Sequence, residues 1–234
     1  MEIRFKRPDG KETSGYLAMP KGGEDTPGVV VIPEFWGVND QVKKVADRLA
    51  EDGYRALVVD VFHGKATKDP KEASRMAADL DRETAVDQDI RGAVVHMEQR
   101  SPGTRVAALG FCIGGGLALA AAVRVRELNA AVTYYGIPPV DLADPRQIRI
   151  PFLGHYAKKD RSYTPEKVGD LEKALEAGGV NHELHRYEAD HAFANDQRPE
   201  VYDRKAADLA WDRTLAFLQR TIGGTPAESF VPAP

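Results

Sequence analysis

Residues 104–125 read TRVAALGFCIGGGLALAAAVRV, and the reading of this stretch decides the fold. From Val106 onward its first part is apolar on successive positions, with no polar alternation. A strand of that pattern is buried on both faces, which is the habit of a parallel sheet. Its last part, LALAAAVRV, is built largely from strong helix formers. Between the two, Cys112 is flanked by Gly110 on one side and by Gly114, Gly115 and Gly116 on the other. Residues without a Cβ are needed where a strand turns abruptly into a helix and neighbouring backbones come close. Strand, sharp turn and helix in succession predict a sheet with helical crossovers.

The same rhythm runs through the rest of the chain. Apolar or β-branched runs recur at 28–33 (GVVVIP), 54–60 (YRALVVD), 129–136 (NAAVTYYG), 150–157 (IPFLGHYA) and 182–188 (HELHRYE). Helical spacing lies between them, in VKKVADRLAEDG from Val42, one long segment from about Pro70 to Arg100, and PEKVGDLEKALEAGG from Pro165. A last helix, from about Arg204 to Arg220, sets Leu209, Phe217 and Leu218 against charged positions. Gly53, Gly178 and Gly179 stand where helices should stop. EIRFKR and GYLAMP predict an antiparallel hairpin at the sheet edge, and residues from about 223 to 234 read as a loose tail. No repeat or linker divides the chain. The expected class is α/β: one domain over residues 1–234, a doubly wound, mostly parallel sheet with helices on both faces.

The formal charge is −4, with lysines and arginines scattered among acids, so neither nucleic acid nor an anionic membrane is an expected partner. No apolar run approaches the roughly 20 residues of a membrane span, and MEIRFKRPDG turns polar before a signal-peptide core forms. The cytoplasm is the expected compartment, small molecules the expected partners, and a monomer the default state. One cysteine cannot make an internal disulfide, so its place at the turn is what informs.

Doubly wound sheets carry their chemistry just past the carboxyl ends of their strands. GFCIGGG there matches the G-x-nucleophile-x-G elbow of the α/β-hydrolase fold. A sulfur at a helix N-terminus meets unpaired amides and the positive end of the helix dipole, both of which favour a thiolate. In that fold the acid, then the histidine, follow the nucleophile along the chain. Asp160 after IPFLGHYAKK and His191 after HELHRYEAD fill those places. The other histidines have plainer readings: His63 in a loop, His96 in a helix, His155 in a strand, His182 and His185 in the strand leading to His191. Asp190 competes with Asp160, but sequence neighbours project in different directions, which favours Asp160.

Glu34, in PEFWGVND, directly follows an apolar strand and precedes Phe35-Trp36. A half-buried carboxyl there has raised proton affinity and is placed to exchange a proton with the thiol. The backbone N–H groups of Phe35 and Ile113 are the expected oxyanion donors. Trp36, Tyr134 and Phe193 are expected to line the pocket with aromatic surface. No His/Cys/Asp spacing suggests a metal, and the triple glycine lacks the Lys-Ser/Thr of a phosphate loop, so neither a metal site nor a phosphate loop is expected.

Together, PEFWGVND, GFCIGGG, Tyr134-Tyr135-Gly136, HYAKKD ending at Asp160, and YEADHAFAN around His191 resemble the dienelactone hydrolases, or carboxymethylenebutenolidases, over nearly the whole chain. The resemblance implies Cys112 as nucleophile, His191 as base, Asp160 as orienting acid, and Glu34 as the group that helps generate the thiolate when substrate arrives. It also implies hydrolysis of a lactone or small ester through an acyl-enzyme, without a cofactor. Family members hold the dienelactone carboxylate with arginines, one of them four residues past the histidine. Here that position is Asn195, and Ala192 stands beside the histidine where serine is frequent. KEASRM, residues 71–76, supplies Lys71 and Arg75 as candidate cations. Asn195 motivates a second expectation, a carboxylesterase for uncharged short-chain esters. A third is a catalytically idle protein that keeps the pocket for a small aromatic ligand.

Overall fold

A computed structural model describes residues 1–223, so the expected tail, apart from its first residue, lies outside the described residues. The strands are β1 (Glu2–Lys6), β2 (Glu12–Ala18), β3 (Gly28–Ile32), β4 (Arg55–Val59), β5 (Val106–Phe111), β6 (Ala130–Tyr134), β7 (Phe152–Ala157) and β8 (His182–Tyr187). They form one sheet in the order β1-β2-β4-β3-β5-β6-β7-β8. The N-terminal hairpin pairs antiparallel at the edge and lies antiparallel to β4, while every other pairing is parallel. The runs without alternation, β3 to β7, are buried at every residue, because helices cover both their faces.

One face is covered by α1 (Asp40–Glu51) and α7 (Arg204–Thr221), whose Val42, Leu49, Trp211 and Phe217 pack on Val29, Val31 and Val132. The other is covered by α4 (Arg91–Arg100) and α5 (Ile113–Arg124), where Val94, Met97 and Leu117 meet Val30, Ile32 and Leu57. On that face α6 (Pro165–Ala177) closes over β7 through Val168, Leu171 and Leu175. The chain leaves β3 toward β4 on one side and later returns to β5 on the other, so the winding reverses at β3. A crevice opens at such a reversal. The pairing of Ile32 with Gly110 brings the loop after β3 beside the end of β5, so Glu34 and Cys112 become neighbours in this crevice.

Two expectations are corrected here. The segment from Pro70 to Arg100 is not one helix: α2 (Pro70–Asp79) stops at Leu80, whose ψ of 119° is extended. Asp81 then caps a new start, accepting from the Thr84 N–H at 3.1 Å and the Thr84 hydroxyl at 2.8 Å. The short α3 (Arg82–Thr84) runs into a π-helical stretch, Ala85–Ile90, before α4. On α7, Leu209 is 42% exposed, because the buried stripe runs through Ala207, Ala210, Trp211, Thr214, Phe217 and Leu218. Among the described residues no helix is long and apolar enough to cross a membrane.

Candidate active site

The turn after β5 is built by absences of side chains. A Cβ on Gly110 would lie 2.0 Å from the Gly114 carbonyl oxygen, and one on Gly114 would lie 2.4 Å from that of Pro33. A Cβ on Gly136, after β6, would lie 2.2 Å from the Cys112 carbonyl oxygen. With those approaches permitted, Cys112 sits at φ 54° and ψ −118°, in a region that L-residues avoid. Its N–H donates to the Tyr134 carbonyl at 3.0 Å, and its own carbonyl accepts from Gly116 at 3.1 Å. The thiol stands at the first turn of α5, half-buried.

Cys112 Sγ lies 3.3 Å from His191 Nε2, and His191 Nδ1 lies 2.6 Å from Asp160 Oδ2. Asp160 comes from the loop after β7 and His191 from the loop after β8, so three strand ends converge. The second carboxylate oxygen of Asp160 accepts the N–H groups of Ser162 at 2.7 Å and Tyr163 at 2.9 Å, which fixes its rotamer. Burial alone would raise the Asp160 carboxyl, but the bond from His191 and these N–H groups outweigh it and hold it below its usual range. Burial likewise works against a charged His191, and the bond to Asp160 and the neighbouring sulfur overcome it, holding the imidazole up to about 10.

Glu34 is 4% exposed, and neither of its oxygens is bonded to Cys112. Oε1 accepts the Tyr135 hydroxyl at 3.2 Å and Oε2 accepts Asn195 Nδ2 at 3.0 Å. The Asn195 amide is oriented in turn by its Oδ1, which accepts the Gln197 N–H at 3.0 Å. Burial is the largest influence on Glu34 and pushes its carboxyl up, against the pull of these two bonds and of the nearby His191 and Arg198.

The family model of the dienelactone hydrolase family matches residues 13–222. The chain belongs to that family. With it goes ester cleavage as the reaction class. A protein of Aquifex pyrophilus named usf is 33% identical across 94% of this chain and 98% of its own. A protein of Saccharolobus solfataricus provisionally named a carboxymethylenebutenolidase is 31% identical across 92% of this chain and 97% of its own. Among solved structures, a provisionally named dienelactone hydrolase from Klebsiella pneumoniae superposes with a TM-score of 0.83 at 27% identity, covering 94% of this chain and 98% of that one.

In this dienelactone hydrolase family member a cleft of about 980 Å³ opens beside Cys112. Phe35 and Ile113 line it, and neither N–H has a protein acceptor among the described residues. Several residues expected at the pocket stand elsewhere. Tyr134 shares its strand face with Val132, and its hydroxyl bonds Thr214 of α7 at 2.7 Å, on the far side of the sheet. Phe193 is fully buried between Tyr135 and Tyr187, with ring centroids at 5.4 Å and 5.0 Å. Trp36 packs beside Phe35 at 4.5 Å and does not line the cleft. Lys71 and Arg75 are exposed on α2 and do not line the cleft, and Asn195 is held on Glu34.

Two further residues belong to the site, Arg82 in the cleft wall and Tyr135 behind it. Arg82 lines the cleft, donates to the Ala77 carbonyl at 3.2 Å, and pairs with no carboxylate among the described residues. Tyr135 reaches Glu34 because its φ of 41° breaks the alternation of β6. Asp81, a capping residue three positions before Thr84, signals the break that presents Arg82. No group of three or more His, Cys, Asp or Glu among the described residues is arranged to hold a metal.

Proposed function

We propose that this family member hydrolyses esters and lactones, dienelactone among them, by acyl transfer to Cys112. The observation that carries the reading is the continuous chain of contacts from Cys112 Sγ through His191 to a buried Asp160. With the imidazole held up to about 10, the thiol proton rests on His191 Nε2, and Sγ attacks the carbonyl carbon as the thiolate. The resulting oxyanion is met by the N–H groups of Phe35 and Ile113. The intermediate collapses, the carbon–oxygen bond breaks, and His191 returns the proton to the departing oxygen. Water then attacks the thioester, giving a proton to His191, and the sulfur leaves with that proton. Asp160 keeps Nε2 turned toward the sulfur throughout.

Arg82 is the cation of this reading that meets a substrate carboxylate, in place of Lys71 and Arg75. Glu34, held by Tyr135 and Asn195, is the carboxyl that exchanges a proton near the thiol once substrate displaces these bonds. The test is mass spectrometry of the chain quenched in acid during turnover of p-nitrophenyl acetate. One acetyl group on the peptide that carries Cys112 is expected. Continued turnover with an unmodified Cys112 peptide overturns the reading.

A second reading, a carboxylesterase for neutral esters, is favoured by the apolar Ile137, Pro138 and Leu142 in the same cleft. Arg82→Ala separates the two. A KM raised about tenfold or more for dienelactone alone supports the acidic substrate, as loss of a charge-assisted bond predicts. An equal KM for both substrates supports the neutral one.

A further inference from the structure

We propose that the cleft beyond Cys112 is an acyl-chain subsite, so that preferred substrates carry an extended apolar acyl arm. This rests on Cys112 being the nucleophile. At about 980 Å³ the cleft lies at the upper end of pockets that bury a drug-sized ligand, well beyond a single lactone ring. It is long rather than round. Along α6 it is lined from Lys167 to Ala177, about 15 Å of helix at roughly 1.5 Å per residue.

The facing wall is the loop after β6, through Ile137, Pro139, Val140 and Leu142, with Gly116 and Leu117 of α5 as the floor. The groove ends where the walls meet: a Cβ on Gly178 would lie 2.5 Å from the Arg146 carbonyl oxygen. Charged residues along it are largely occupied with one another or with backbone. Asp170 pairs with Lys173 at 3.1 Å, Asp144 with Arg146 at 2.7 Å, and Lys167 donates to the Ser162 carbonyl at 2.8 Å. Val140 is 80% exposed, an apolar side chain that a bound chain would cover.

The geometry also says which part of the substrate lies there. The departing oxygen has to sit within reach of His191 Nε2 to receive its proton. Among the described residues, none from the loop that carries His191 lines the groove. The alcohol therefore leaves on the His191 side, and the groove holds the acyl group that becomes the thioester of Cys112.

The experiment is kcat/KM for p-nitrophenyl acetate, butyrate and octanoate and for octyl acetate, using wild type, Cys112→Ala, Ala174→Trp and Ala177→Trp. Ala174 lies mid-groove and Ala177 near its end, exposed, so the second indole fills the channel even where the first perturbs packing. Full burial of a methylene is worth up to about fourfold, so a partly open groove predicts at least about tenfold in favour of octanoate over acetate. The octanoate-to-acetate ratio is expected to fall at least about fivefold in a tryptophan variant whose circular dichroism is native. A flat or declining acyl series in wild type, a folded Ala177→Trp that keeps the full ratio, or the same gain with octyl acetate overturns the subsite. Acetate turnover unchanged in Cys112→Ala overturns the nucleophile and the subsite together, whereas Cys112-dependent turnover with a flat series overturns the subsite alone.

Discussion

Cys112, His191 and Asp160 are held differently, and the differences are testable one residue at a time. Asp160 accepts two backbone N–H groups besides His191, so Asp160→Asn keeps the loop while presenting an amide to Nδ1. The expected result is a kcat lower by about 10³- to 10⁴-fold with the fold intact, because the imidazole then adopts the wrong tautomer. Glu34 makes a prediction about pH. Its carboxyl is raised above 4.5 by burial, so the folded chain binds that proton more tightly than the unfolded one. The contribution to stability is therefore full below about pH 4.5 and is lost as pH rises through the folded value. Glu34→Gln removes that loss, so scanning calorimetry is expected to show the variant gaining on wild type in Tm between pH 4.5 and pH 8. A pH-independent difference would contradict the buried carboxyl. The meeting of Cys112, Asp160 and His191 was legible because each lies in the turn or loop just past the carboxyl end of an expected strand. The reach of Tyr135 to Glu34 was hidden because a positive φ at Tyr135 interrupts the two-residue alternation of a strand.

The turn after β5 and the helix α6 offer opposite outcomes for the same substitution. Gly110→Ala would drive a Cβ to 2.0 Å from a backbone oxygen that cannot swing away. It is expected to cost more than about 3 kcal/mol and to abolish activity. Gly169, within α6, has nothing within 4 Å of its would-be Cβ, so Gly169→Ala is expected to stabilise by about 0.5–1 kcal/mol. Urea midpoints of the two variants check both signs. Elements were legible where one signal dominated: the unbroken apolar runs are strands, and the hairpin is at the edge. The long helix was not, because the helical spacing from Pro70 to Arg100 hides a capping aspartate at Asp81. That break also presents Arg82, for which the capping Asp81 is the one neighbouring signal.

At the scale of the molecule, the turn after β1, the loop after β4 and the π-helical stretch are tied at one point. Arg7 donates to Asp89 at 3.0 Å, His63 lies 2.9 Å from the other Asp89 oxygen, and the Arg7 and Asp89 side chains are only 7% and 1% exposed. Asp89→Ala leaves a buried guanidinium short of a partner and is expected to cost about 3 kcal/mol in a denaturant titration. A loss below about 1 kcal/mol would contradict that role. Strand order was beyond the sequence, since a run of apolar residues does not name its neighbour. The winding reversal at β3 that brings Glu34 and Cys112 together is thus a property of the whole sheet. Whether that crevice does its chemistry through sulfur is tested most directly by kcat/KM for dienelactone and p-nitrophenyl acetate, wild type against folded Cys112→Ala. A loss of at least about 10³-fold on whichever substrate the wild type turns over is the expected result. Hydrolysis of that substrate by the folded variant at the wild-type rate would contradict it.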